Sequence, residues 1–194
     1  MNLVHQSPAQ AAVQSRSAGS LQVTVPGYPS ARAMVNLDMG DYCVADGTHS
    51  IKTLLGSCVS ITLWHPARKI GAMCHFLLAS RGEQVGPACA RFCDEALYMM
   101  LRDLAALGVE ARECEAKIFG GGNMFPSLYE ENPFSVGRKN GERARALLQQ
   151  AGIPVVAEDL YGTGHRQVIF DVGSGDVWLR QIRPVDPQDA SLAA

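Results

Sequence analysis

From Pro87 to Leu107 the apolar side chains fall at Cys89, Phe92, Cys93, Ala96, Met100, Leu104 and Leu107, three or four positions apart. On a helix this spacing makes one continuous apolar stripe, and such a stripe is stable only when a second layer covers it. Pro87 suits a first helical position and Gly108 a left-handed terminator, so the pattern predicts a helix with both ends marked. Just upstream the period changes. Val59, Ile61 and Leu63 alternate with Ser60, Thr62 and Trp64, the period of two expected for a strand with unlike faces. After the turn-forming run His65-Pro66-Ala67-Arg68-Lys69, a mostly apolar stretch from Ile70 to Ala79 completes a predicted β-hairpin.

The remaining elements extend this pattern. A second helix is predicted over Val136 to Ala151, closed by Gly152, with Gly141 inside it costing about 1 kcal/mol relative to Ala. Ala116 to Phe119, Pro154 to Glu158, Arg166 to Val172 and Val177 to Arg183 read as strands, the last two joined by Gly173-Ser174-Gly175-Asp176. The order β, β, α, β, α, β, β, β predicts an α+β fold, a layered sandwich of largely antiparallel sheet covered by two main helices. Residues 1–32, rich in Ser, Ala, Gln and Pro, read as a flexible leader with one short strand at Leu21 to Val25. Residues 33–183 form the single domain, and 184–194 a loose C-terminal tail.

A chain of 194 residues buries a core without disulfide or metal staples. Its net charge of −2 provides no positive field for phosphate backbones, which argues against nucleic acid as a partner. No apolar run reaches the roughly 18 to 20 residues of a membrane span. Met1 to Gln10 lack the basic and apolar stretches of a secretory signal, so the expected compartment is the cytoplasm. There, the six cysteines are expected as reduced thiols.

Among them Cys58 stands where Leu54-Leu55-Gly56-Ser57 turns into a strand. Gly56 and Ser57 give that turn the room to expose backbone N–H groups beside the thiol, the means by which an oxyanion is stabilised. A hairpin centred between Pro66 and Ala67 sets Cys58 opposite His75. An imidazole there draws off the thiol proton, gives a thiolate near neutral pH and later protonates a leaving amine. A lone Cys–His pair is also compatible with a cysteine packed as a small hydrophobe.

The other candidates have structural readings. Cys89 and Cys93 have zinc-like spacing but share the apolar stripe, Cys74 alternates to the face opposite His75, and Cys43 and Cys114 lack ligand-spaced neighbours, so no metal or cofactor is expected. Gly120-Gly121-Gly122-Asn123 lacks the lysine and hydroxyl of a P-loop and reads as a tight turn bordering the site. His5, His49, His65 and His165 are assigned to leader, turn and loop positions.

Three blocks add to these readings: Leu54-Leu55-Gly56-Ser57-Cys58-Val59, Gly71-Ala72-Met73-Cys74-His75, and Ala116 to Phe119 running through Gly120-Gly121-Gly122-Asn123 to Met124-Phe125. In their order and spacing, and in Val136-Gly137-Arg138-Lys139-Asn140, Gly152-Ile153-Pro154 and Glu158-Asp159, the chain resembles the bacterial chemoreceptor glutamine deamidases, the CheD family. The likeness runs from about Val35 to Arg183. It implies a protein-glutamine deamidase with Cys58 as nucleophile, His75 as base and, as a third residue orienting the histidine, Thr53. The family's threonine lies one residue further from the cysteine, where this chain has Lys52. Gly164-His165-Arg166 departs from a pattern in which arginine directly follows glycine. The implied substrate is the cytoplasmic region of chemoreceptors, and a CheC-type phosphatase is an implied partner. The alternative is a non-catalytic adaptor that binds the same receptors or phosphatase.

Overall fold

The computed structural model describes residues 5–6, 32–83, 85–124 and 135–182. The candidate strand at Leu21 to Val25 and the tail from Pro184 lie outside them. In chain order the strands are β1 (His5–Gln6), β2 (Ala33–Asn36), β3 (Tyr42–Asp46), β4 (His49–Leu55), β5 (Val59–His65), β6 (Ile70–Cys74), β7 (Glu115–Gly120), β8 (Val155–Leu160), β9 (His165–Asp171) and β10 (Val177–Ile182). The helices are α1 (Cys93–Ala106) and α2 (Val136–Gln150).

The strands form two sheets, a six-stranded one in the order β1-β3-β6-β5-β7-β8 and a four-stranded one in the order β10-β9-β4-β2. Both are antiparallel except for the pairs β2 with β4 and β7 with β8, which run parallel. The expected α+β sandwich is therefore present, with a second sheet as an added layer. Val59, Ile61, Leu63 and Phe76 pack with Ala96, Met100, Leu104 and Leu148 of the helices on one face of the large sheet. Met73 and Phe119 on its other face pack with Ile51, Leu55, Val168 and Phe170 of the small sheet.

Having a layer on each side changes the character of β5. The alternation predicted unlike faces, and Ser60 and Thr62 on the polar one are as buried as Val59 and Ile61. A polar set in a fully covered strand has to be accommodated between the sheets, and that is where the candidate site lies.

Two element boundaries differ from the expected ones. Helix α1 begins at Cys93, not Pro87, because the preceding residues are used elsewhere. Leu77 and Leu78 donate to the Arg91 carbonyl, Cys93 donates to that of Leu78, and Phe92 stays extended at φ −111°. Cys89 thereby leaves the helix, while Cys93 remains in the core. Strand β6 stops at Cys74, since the N–H of His75 donates to Asp41 O and its carbonyl accepts from Gly40 N. The second helix closes as predicted at Gly152, whose φ of +68° is the left-handed region glycine enters freely. His5 and Gln6 pair with Val44 and Cys43 at the edge of the large sheet.

Candidate active site between the two sheets

The hairpin brings Cys58 and His75 to one face, in a register offset from the expected one. Thr62 pairs with Met73, and Val59 exchanges both backbone bonds with Phe76. Ser60 therefore lies across from His75, and Cys58 is its diagonal neighbour. A shift of two preserves the face, because side chains alternate with period two. Val59 and Phe76 point to the helices, whereas Cys58 packs against the cluster between the sheets. The diagonal relation puts the Cβ atoms about 7–8 Å apart, and His75 Nε2 makes no hydrogen bond to the thiol.

The small sheet contributes Thr53. It stands on the inner side of β4 opposite Val168 of β9 and is 4% exposed; His75 is 3% exposed. Thr53 Oγ1 lies 2.7 Å from His75 Nδ1 and donates its own proton to Leu37 O at 2.9 Å. With that proton committed, Oγ1 accepts from His75 Nδ1–H, which fixes the tautomer and leaves the lone pair on Nε2. Nε2 has no partner among the described residues. Leu37 is itself held by its N–H to Lys52 O at 2.8 Å, where β2 runs on beside β4. Lys52, the residue at the resembled family's threonine position, is partly exposed.

Burial sets the charge state of the pair. It pushes the His75 imidazole down to about 4, opposed by the nearby Asp38 carboxylate. It pushes the Cys58 thiol up, opposed by the residue's own N–H. The thiolate expected near neutral pH is therefore disfavoured in the resting site: desolvation penalises both ions, and a neutral thiol faces a neutral imidazole.

The turn at Gly56-Ser57-Cys58 is held by the glycine turn after β7. Gly122 N donates to Gly56 O and Gly121 N to Cys58 O, both at 2.8 Å. Gly120 has φ +112°, and a Cβ there would lie 2.3 Å from Cys58 O. The glycine turn is a positioning device for the cysteine loop, in keeping with the tight turn expected there.

The supports behind it left no sequence trace of their role. Arg166 is buried and donates to Gly120 O at 3.4 Å, to Asp159 Oδ1 at 2.5 Å and to the carbonyl of Tyr161. Asn140 of α2 donates to Leu77 O at 2.7 Å, fixing the segment just after His75. Asn140 belongs to a stretch that carries the resemblance and Arg166 to one that departs from it, and only the fold says what each touches. Ser60 does have a signal in the sequence, since period two puts it on the Cys58 face. His49 and His65 lie away from this set, bonded to Asp46 and beside Glu113. Among the described residues no group of three or more His, Cys, Asp or Glu is placed to hold a metal ion.

The sequence comparisons point one way. The profile of the family described as CheD chemotactic sensory transduction matches residues 77–181. A protein of Albidiferax ferrireducens named "Probable chemoreceptor glutamine deamidase CheD 2" is 53% identical over 151 residues, 77% of this chain and 87% of that one. One of Chromobacterium violaceum named "Probable chemoreceptor glutamine deamidase CheD 1" is 41% identical over 166 residues, 85% of this chain and 86% of that one. A protein of Thermococcus kodakarensis, named "Probable chemoreceptor glutamine deamidase CheD", is 41% identical over 152 residues, 76% and 92% of the two chains. Among solved structures, the Bacillus licheniformis hypothetical protein YfiH aligns with a TM-score of 0.39 at 13% identity, covering 62% of this chain and 56% of that chain.

Proposed function

This chain belongs to the CheD family, and from that premise we propose that it is a protein-glutamine deamidase using Cys58 as nucleophile and His75 as general base. The relatives' names supply the reaction, hydrolysis of a glutamine side chain of a chemoreceptor. The observation that carries the mechanism is the orientation of His75: Nδ1–H is engaged by Thr53, and the Nε2 lone pair is left free on the Cys58 face.

The chemistry follows from that tautomer. As the thiol sulfur attacks the amide carbon, its proton passes to Nε2. Transfer and attack occur together, because a separated ion pair is penalised by burial. The imidazolium Nε2–H then protonates the departing nitrogen, the C–N bond breaks, ammonia leaves and a thioester remains. Water attacks the thioester with Nε2 again taking a proton, the C–S bond breaks, and the thiol is restored with glutamate as product. The glycine turn holds the carbonyls of Gly56 and Cys58. The amides at Ser57 and Cys58 are the natural donors to the developing oxyanion, with Gly56 keeping the turn open. Thr53 acts through His75 as a positioning residue. No cofactor is required by these steps.

By the same reading the substrate is the cytoplasmic region of chemoreceptors, a CheC-type phosphatase is a partner, and the protein works in the cytoplasm. No helix among the described residues is long and apolar enough to cross a membrane. The test is incubation of receptor cytoplasmic fragments with the wild type and with Cys58→Ala, following glutamine-to-glutamate conversion by intact mass. Conversion by the wild type alone supports the mechanism, and equal conversion by both removes it.

A further inference from the structure

Ser60 lies two residues beyond Cys58 and is fully buried, yet its Oγ meets no hydrogen-bond partner among the described residues. Buried hydroxyls are nearly always paired, so an unpaired one calls for a reason. Its place in the register supplies one. Val59 and Phe76 exchange both N–H···O bonds, at 3.1 and 3.0 Å. The next pair along, Ser60 with His75, is therefore of the closely spaced kind, with Cα atoms about 4.5 Å apart and both side chains on one face. That face is the one Cys58 occupies. The second unpaired atom there is His75 Nε2. Two buried polar atoms thus lie on adjacent positions beside the nucleophile, and neither is within bonding distance of the other.

A hydroxyl and a ring nitrogen in this relation are suited to share one small polar molecule, since a bridging water serves both where a direct bond does not reach. The proposed reaction has one step that needs such a molecule, the hydrolysis of the thioester. We propose that Ser60 is a positioning residue for that step: its Oγ accepts one hydrogen of the attacking water while His75 Nε2 takes the other. The water oxygen forms the new C–O bond, the C–S bond breaks, and the proton on Nε2 returns to the thiolate of Cys58. This inference rests on the deamidase reading, but it concerns the second half-reaction alone.

A merely structural Ser60 makes a clear contrary statement. Removing a buried hydroxyl that has no partner should leave the fold equally or more stable, with the kinetics unchanged. The experiment compares the wild type and Ser60→Ala with a receptor fragment in water containing hydroxylamine, a small nucleophile that captures the thioester as a hydroxamate. Intact mass gives glutamate and hydroxamate products, and the ratio of the two is independent of how much variant is folded. With water no longer held, the expected result is about a tenfold rise in hydroxamate over glutamate, with thioester accumulating on Cys58. A ratio equal to that of the wild type overturns the role of Ser60 while leaving the deamidase reading intact. A wild type that forms neither product overturns both.

Discussion

Thr53 of the small sheet and His75, the residue that follows β6 of the large one, are joined by a hydrogen bond of 2.7 Å, the one side-chain link among the described residues that orients the imidazole. Replacing Thr53 by Val keeps the shape and removes the acceptor. The buried Nδ1–H and Leu37 O then lose their partners, which should destabilise the protein by about 1–3 kcal/mol. The ring is also free to adopt the wrong tautomer or rotamer, so kcat should fall by about 100-fold. Thr53→Ser should recover most of both. Thermal denaturation and steady-state ammonia release measure the two effects.

The depressed imidazole predicts an unusual acid limit. With His75 held at about 4, its base form persists well below the ordinary histidine range, so kcat/KM should lose activity near pH 4 rather than near 6.5. A pH–rate profile on folded protein locates the limb.

Stability should carry the same signature. Between pH 6.5 and 4 the unfolded chain protonates this histidine and the folded protein does not. The unfolded state binds more protons there, so stability is full above pH 6.5 and falls as the pH drops, by up to about 3 kcal/mol. Urea midpoints across this window should show a steeper slope for the wild type than for His75→Gln.

At Gly120 a methyl group would meet the Cys58 carbonyl at 2.3 Å with the backbone at φ +112°. Gly120→Ala should therefore cost more than about 3 kcal/mol and abolish activity. Gly152 also has positive φ, +68°, but faces open space. Gly152→Ala should cost about 1 kcal/mol and leave the rate unchanged. Parallel unfolding and activity measurements on the two variants separate loop displacement from simple backbone strain.

Arg166 makes a fork of contacts that a lysine does not reproduce. Arg166→Lys either leaves Tyr161 O without the arginine's donor or loses the contact to Gly120 O, which then keeps only its bond from Tyr161 N. It should destabilise the protein by about 1–3 kcal/mol and slow turnover through the glycine turn. Denaturant titration alongside kcat reads both.

Local signals in the chain were followed by the fold wherever neighbours in sequence decide the structure. Gly108 and Gly152 stand just past the helices, and the alternation from Val59 to Trp64 is strand β5. What was not legible depended on distant partners. Pro87 has the credentials of a helix start, but the bridge between Leu78 and Phe92 keeps the chain extended until Cys93. Half of the small sheet is legible as the β9–β10 hairpin, but β2 and β4 are not, because they pair in parallel, a non-local arrangement without a turn signature. In the site, the motifs picked out Cys58, His75 and Thr53. The hairpin register was off by two, and Leu37 O, the acceptor that sets the tautomer, has no mark in the sequence at all. Burial opposes the expected thiolate, raising the thiol and lowering the imidazole; proximity of thiol and imidazole is visible in a motif and desolvation is not.

The separation of the site between two sheets has a dynamic consequence. Cys58 and His75 flank one hairpin and stay neighbours whenever β5 and β6 are paired, whereas Thr53 reaches them only while the small sheet is docked. A partly opened molecule with the sheets parted keeps its nucleophile and loses the tautomer, becoming inert before it unfolds. In a denaturant series, ammonia release should decline ahead of the helical circular dichroism signal. Turnover in this protein is then a gauge of sheet docking, sensitive to loosening that spectroscopy of the helices does not register.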